Sequence, residues 1–124
     1  MKVTYRAALL ISAVVENQGS VDRVEGDPRG ILRHLERIWD LIDAARSRQE
    51  PDGGQMSDDA VLDVPFSIQD LRFIDARVEE ASALARELLA EESLDQQTRR
   101  DQEESLETAV SAIEEVRRLI AAQA

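Results

Sequence analysis

The chain has 124 residues, 43% of them hydrophobic but only 3% aromatic, and 26 Asp and Glu face 15 Lys and Arg for a formal charge of −11. That charge repels a nucleic-acid backbone or an anionic membrane over most of the surface, and the absence of cysteine removes disulfides, thiolate nucleophiles and sulfur-ligated metals. Leu, Ile, Val and Ala carry the apolar content, which suits helix-on-helix packing, so the expectation is one all-α domain spanning 1–124.

Lys2 and Arg6 ahead of the apolar run 7–15 imitate a secretion signal, but no small-x-small cleavage site follows, and the segment reads as a retained core helix. No apolar run approaches the ~20 residues that a membrane-spanning helix needs. A soluble, cytoplasmic protein without a membrane partner is expected.

Val3, Ala7, Leu10 and Val14 share one helical stripe that Ile11 and Val15 widen, predicting a first helix that ends near Gln18 with Gly19 as its stop. A buried strand is the rival reading of 7–15, with no partner strand evident. After a connector over 20–26, Asp27 and Pro28 supply a cap and a first-turn proline for a second helix. Its apolar residues Ile31, Leu35, Ile38, Ile42 and Ala45 step by four and three, and Leu32, Trp39 and Leu41 widen the face. Trp39 is expected in the core rather than as a stacking platform. Arg46 and Arg48 complement the helix dipole at the C-terminal end, and Pro51 closes the segment.

The stretch SRQEPDGGQMSDD predicts a mobile loop near 47–60, followed by a short extended piece over 61–64. Leu71, Ile74, Val78, Ala81, Ala85 and Leu88 then repeat at the three-and-four spacing of a helix that lies along another helix. Ser67 and Asp70 form a capping box at its start, with Phe66 placed to staple onto Leu71. Residues 95–105 read DQQTRRDQEES, either a polar loop or an exposed helix capped by Ser93 with Gln96 and held by pairs such as Asp95 with Arg99. Helix formers dominate and no Gly or Pro intervenes, which favours the helix. The apolar stripe resumes at Leu106, Ala109 or Val110, Ile113, Val116 and Ile120, predicting a last helix antiparallel to the one from Ser67. The sum is an antiparallel bundle of about four helices, with a narrow waist at Ala81 and Ala85. The wide apolar face of the second helix points to a homodimer.

Chemistry is scarce. His34 is the only histidine, and no carboxylate stands three or four residues from it, so the Glu-x-x-His pairs of di-metal bundles and His-Glu-x-x-His are absent. The DGGQMSDD segment lacks the EF-hand pattern, since Gly54 and Met56 stand where oxygen ligands are needed. No Gly-x-Ser-x-Gly elbow and no phosphate-cradling glycine loop occurs. No metal, cofactor or catalytic residue is assigned.

Arg29 and His34 have the Arg-x4-His spacing that resembles the signature of HEPN-type ribonucleases, helical bundles that often dimerise. The resemblance implies Arg29 and His34 lining a dimer cleft and assisting RNA cleavage, with His34 as the acid-base group.

The most unusual feature is the acidic run Glu91, Glu92, Asp95, Asp101, Glu103, Glu104 and Glu107. Helical carboxylates three or four residues apart sit about 5–6 Å from one another, near the spacing of successive phosphates on a strand. Arg99 and Arg100 interrupt the run. The leading expectation is a non-enzymatic protein that binds a partner protein with a basic surface through this face, as an inhibitor or nucleic-acid-mimicking decoy. The alternatives are a homodimeric assembly protein and a HEPN-like ribonuclease using Arg29 and His34.

Overall fold

The computed structural model describes residues 1–50 and 56–123. In chain order these form β1 (Lys2–Thr4), α1 (Tyr5–Val24), α2 (Leu32–Gln49), β2 (Val61–Asp63), α3 (Ile68–Leu89) and α4 (Gln96–Ala122), an all-α bundle of four helices with a small two-stranded ribbon at one end. Helix α1 packs against each of the other three, and α3 and α4 form the most extensive pair.

Val3 was expected to open the first helix; it belongs instead to β1. The strands are antiparallel, with Val3 opposite Leu62. Each strand turns only its middle residue inward, and both are fully buried, the period of two that a strand imposes. Thr4 ends the strand and caps α1, its Oγ1 accepting the Ala7 N–H at 3.1 Å. The extended piece expected over 61–64 is therefore the partner strand that the run 7–15 seemed to lack, though the run itself is helical. Gln49 completes the ribbon: its Nε2 donates to Val61 O at 3.1 Å while its Oε1 accepts from Asp63 N at 2.8 Å.

Gly19 does not stop α1, which continues to Val24. The stop is Gly26 at φ +82°, and Gly26 N donates to Arg23 O while Asp27 N donates to Asp22 O at 2.7 Å. These two bonds make a Schellman motif, which needs a left-handed residue at the position Gly26 occupies. Helix α2 begins at Leu32 rather than beside Pro28, with Ile31 at its N-cap position. Asp27 still caps it from a distance: at φ +55° its Oδ1 accepts the Ile31 and Leu32 N–H groups at 3.0 and 3.1 Å.

Of the loop expected near 47–60, residues 47–49 are the last turn of α2, 51–55 with Pro51 lie outside the described residues, and 58–59 form a turn before β2. The capping box at Ser67 is present in both directions. The stretch 96–105 is helical, as preferred, but its cap is Asp95 rather than Ser93: Asp95 Oδ1 accepts the Thr98 N–H at 2.8 Å. Arg99 does not pair with Asp95; its guanidinium donates to Leu89 O and Glu91 O, holding the start of α4 on the end of α3.

Large side chains fill the core toward the ribbon, among them Ile11, Ile38, Ile42, Leu62, Leu71 and Ile74, all at most 1% exposed. Further along, the buried positions are small: Ser82 and Ala85 on α3, Ala109 on α4. Helices meeting at alanine and serine approach closely but leave grooves beside the contact. No described helix is long and apolar enough to cross a membrane.

Candidate functional site

All seven acids of the predicted run are exposed. Glu91 and Glu92 lie in the connector between α3 and α4, Asp95 is the N-cap, and Asp101, Glu103, Glu104 and Glu107 stand on the first turns of α4. At 3.6 residues per turn these last four occupy less than half of the helix circumference. None of the seven forms an ion pair among the described residues, whereas Asp22, Asp63, Asp70, Glu79, Glu80 and Glu115 elsewhere all do. The Asp95 carboxyl is held below its ordinary pKa by the backbone N–H and hydroxyl of Thr98.

Of the two arginines within the run, Arg99 is taken up by the carbonyls at the end of α3, where the helix dipole is negative. Arg100 is exposed and remains in the same field.

Beside these acids a groove of about 600 Å³ opens between α1, α3 and α4. Its apolar walls are Val21 of α1 with Leu84 and Leu88 of α3, its floor includes Ala85 and Ala109, and its acidic rim is Asp101 and Glu104. No basic residue lines it. The groove exists because small side chains meet at this level, and it leaves Leu84 45% and Val21 38% exposed. Glu91, Glu92, Asp95, Glu103 and Glu107 flank it in sequence without lining it. The groove was not visible in the sequence: its walls come from three separate helices, and Leu84 falls between the stripe positions Ala81 and Ala85.

Trp39, expected in the core, is 39% exposed. It follows Ile38, which takes the inward position, and so stands about 100° around the helix on the rim of a second groove of about 370 Å³ between α1 and α2. Val15, Gly19, Leu32 and Leu35 also line this groove, and Arg23 and Glu36 beside them pair at 3.0 Å.

Arg29 and His34 have separate partners. Arg29 donates to Glu80 of α3 at 2.5 Å and to both oxygens of Asp22 of α1, at 3.0 and 3.3 Å, and these bonds raise its already high pKa. Asp22 is only 1% exposed, so Arg29 is the counter-charge to a buried carboxylate. His34 stacks on Phe73, centroids 3.7 Å apart at 19°, and its Nε2 lies 3.2 Å from Asp70 Oδ1. Asp70 is the carboxylate that local spacing could not supply. Its burial opposes ionisation, yet the Ser67 backbone N–H, Arg37 and His34 together lower its pKa to about 2. No group of three or more His, Asp or Glu side chains placed to hold a metal ion occurs among the described residues.

Compared with known proteins, the chain matches no family model, no curated protein and no solved structure at a significant level. The fold and the surface define an acidic four-helix bundle whose carboxylate face, without an ion pair among the described residues, lies beside an apolar groove.

Proposed function

We propose that this protein acts without catalysis, by binding a partner protein through the acidic end formed by the α3–α4 connector and the first turns of α4. The observation that carries the reading is the set of seven exposed carboxylates with no cation paired to them among the described residues. Charges that form no internal ion pair keep most of their field for an approaching cation, which steers association and sets its salt dependence. A basic partner follows from the sign, and a nucleic-acid-binding protein, whose cationic channel such a face would block, is the sharper form of the reading.

The test is capture from an extract of the native host by the wild type and by a variant with Glu91, Glu92, Glu103 and Glu104 changed to Gln, each at low and high salt. Basic proteins retained by the wild type at low salt only, and lost by the variant, are the expected result. Equal capture by the two proteins at both salt concentrations sinks the reading.

A second reading, a homodimer formed through the α1–α2 groove, draws on the exposure of Trp39 beside Leu32 and Val15. Sedimentation at increasing concentration, with Trp39→Arg as the control, separates it from a monomer. The ribonuclease reading draws less support. Arg29 is bound to Asp22 and Glu80, His34 is bound to Asp70, and among the described residues no hydroxyl is hydrogen-bonded to His34. RNA cleavage by the wild type that His34→Ala abolishes would restore it.

A further inference from the structure

We infer that the groove between α1, α3 and α4 is the docking site for a basic amphipathic helix of the partner, whose apolar side chains enter the groove while its lysines or arginines meet Asp101 and Glu104. The inference rests on the protein-binding reading above and adds which element of the partner is recognised and where it lies.

Three features point to this occupant. The groove volume of about 600 Å³ is in the range of formed binding pockets and takes more than one aliphatic side chain. Its α3 wall presents Ala81, Leu84, Ala85 and Leu88 at i, i+3, i+4 and i+7; Leu84 stands 45% exposed and Leu88 is half-buried, while Ala85 lies buried at the floor. On α1, Ala13, Asn17 and Val21 form the opposite wall, and all three are exposed, Val21 at 38%.

Charge then selects among amphipathic helices. Asp101 and Glu104 form the charged part of the lining, which includes no cation, so an acidic or neutral helix would partly desolvate both carboxylates without pairing them. The α1–α2 groove differs on this point, because Arg23 stands in its wall and pairs with Glu36. A bare polycation would satisfy the carboxylates of the first groove and leave Leu84 and Val21 in water. A helix that is both basic and apolar satisfies both.

Two fluorescein-labelled peptides test this, one with Leu and Lys at helical spacing and the other an oligolysine with the same number of lysines. Binding is read by anisotropy at low salt. The Leu-Lys peptide is expected to bind the wild type at least tenfold more tightly than the oligolysine. Leu84→Glu is expected to abolish that preference. The substitution adds negative charge, so electrostatics alone would make it bind the Leu-Lys peptide better, and a loss reports on the apolar wall. Ala13→Glu, on the exposed opposite wall, gives the same readout if Leu84→Glu fails to fold. Asp101→Asn with Glu104→Gln is expected to weaken both peptides several-fold. Equal affinity of the two peptides for the wild type, or a preference that survives both Glu substitutions, overturns the groove and leaves the acidic-face reading standing. No binding of either peptide at low salt overturns both.

Discussion

Gly19 of α1 faces Leu32 of α2 with space for one methyl group between them: a Cβ added at Gly19 would lie 3.8 Å from Leu32 Cδ1, an ordinary contact distance. Glycine inside a helix costs about 0.5–1 kcal/mol relative to alanine, because its unfolded chain has more freedom to lose. Gly19→Ala should therefore stabilise the protein by about 1 kcal/mol and raise the thermal midpoint by roughly 4 °C. Thermal unfolding followed by circular dichroism measures it. A lowered midpoint would mean that the two helices need the bare backbone at this crossing.

Asp70 links the pH dependence of stability to the α2–α3 contact. Its carboxyl titrates near pH 2 in the folded protein, below the ordinary value of 3.8, because the Ser67 N–H, Arg37 and His34 bonds outweigh its burial. A depressed folded-state pKa stabilises the fold above the unfolded value, and the contribution disappears as pH falls from about 4 to about 2. The shift corresponds to roughly 2 kcal/mol. Asp70→Asn should lose about that much at pH 6, and the gap between the variant and the wild type should close near pH 2. Urea unfolding at pH 2, 4 and 6 gives the comparison, and a gap that stays constant with pH would remove Asp70 as its source.

Arg29 is the test of the polar end of the bundle. Removing one member of a buried ion pair typically costs about 3–5 kcal/mol, since the other charge stays buried and uncompensated. Asp22 is buried, but the Arg29 side chain is 39% exposed, so water reaches the pair and the cost of Arg29→Ala should fall to about 2 kcal/mol. Adding Asp22→Asn to Arg29→Ala should recover part of the loss, because the stranded charge is gone. Denaturant unfolding of the two variants decides it, and a double variant no more stable than Arg29→Ala would show that the charge on Asp22 is not the source of the cost.

The helices were legible because their aliphatic stripes recur over many turns, and the Ser67–Asp70 box because a cap is a local bond. What escaped was decided by contacts distant in sequence. Gly19 and Gly26 both look like stops; only the left-handed φ of Gly26, and the packing of Gly19 within α1, separate them. Strand β1 is three residues long, too short to show a period, and exists through its pairing with Leu62. Asp70 was visible as a capping residue, but its contact with His34 and Arg37 depends on how α2 meets α3. The carboxylates beside α4 could be read directly as residues, whereas the groove they border arises from small side chains on three helices.

Asp27 separates two effects that one substitution would confound. It holds a left-handed φ of +55° and its Oδ1 accepts both the Ile31 and the Leu32 N–H, groups left unpaired at the start of α2. Asp27→Ala loses the cap and keeps a Cβ in the left-handed region without the side-chain hydrogen bonds that offset the strain there, so it should cost about 1–2 kcal/mol. Asp27→Gly loses the same cap but is released from the left-handed strain, so it should be less costly than Asp27→Ala by about 1 kcal/mol. Asp27→Asn keeps an acceptor oxygen and tolerates the backbone, so it should be nearly neutral. The expected order of stability is therefore Asn above Gly above Ala. If Ala equals Gly, the backbone conformation carries no cost here and the cap alone sets the start of α2.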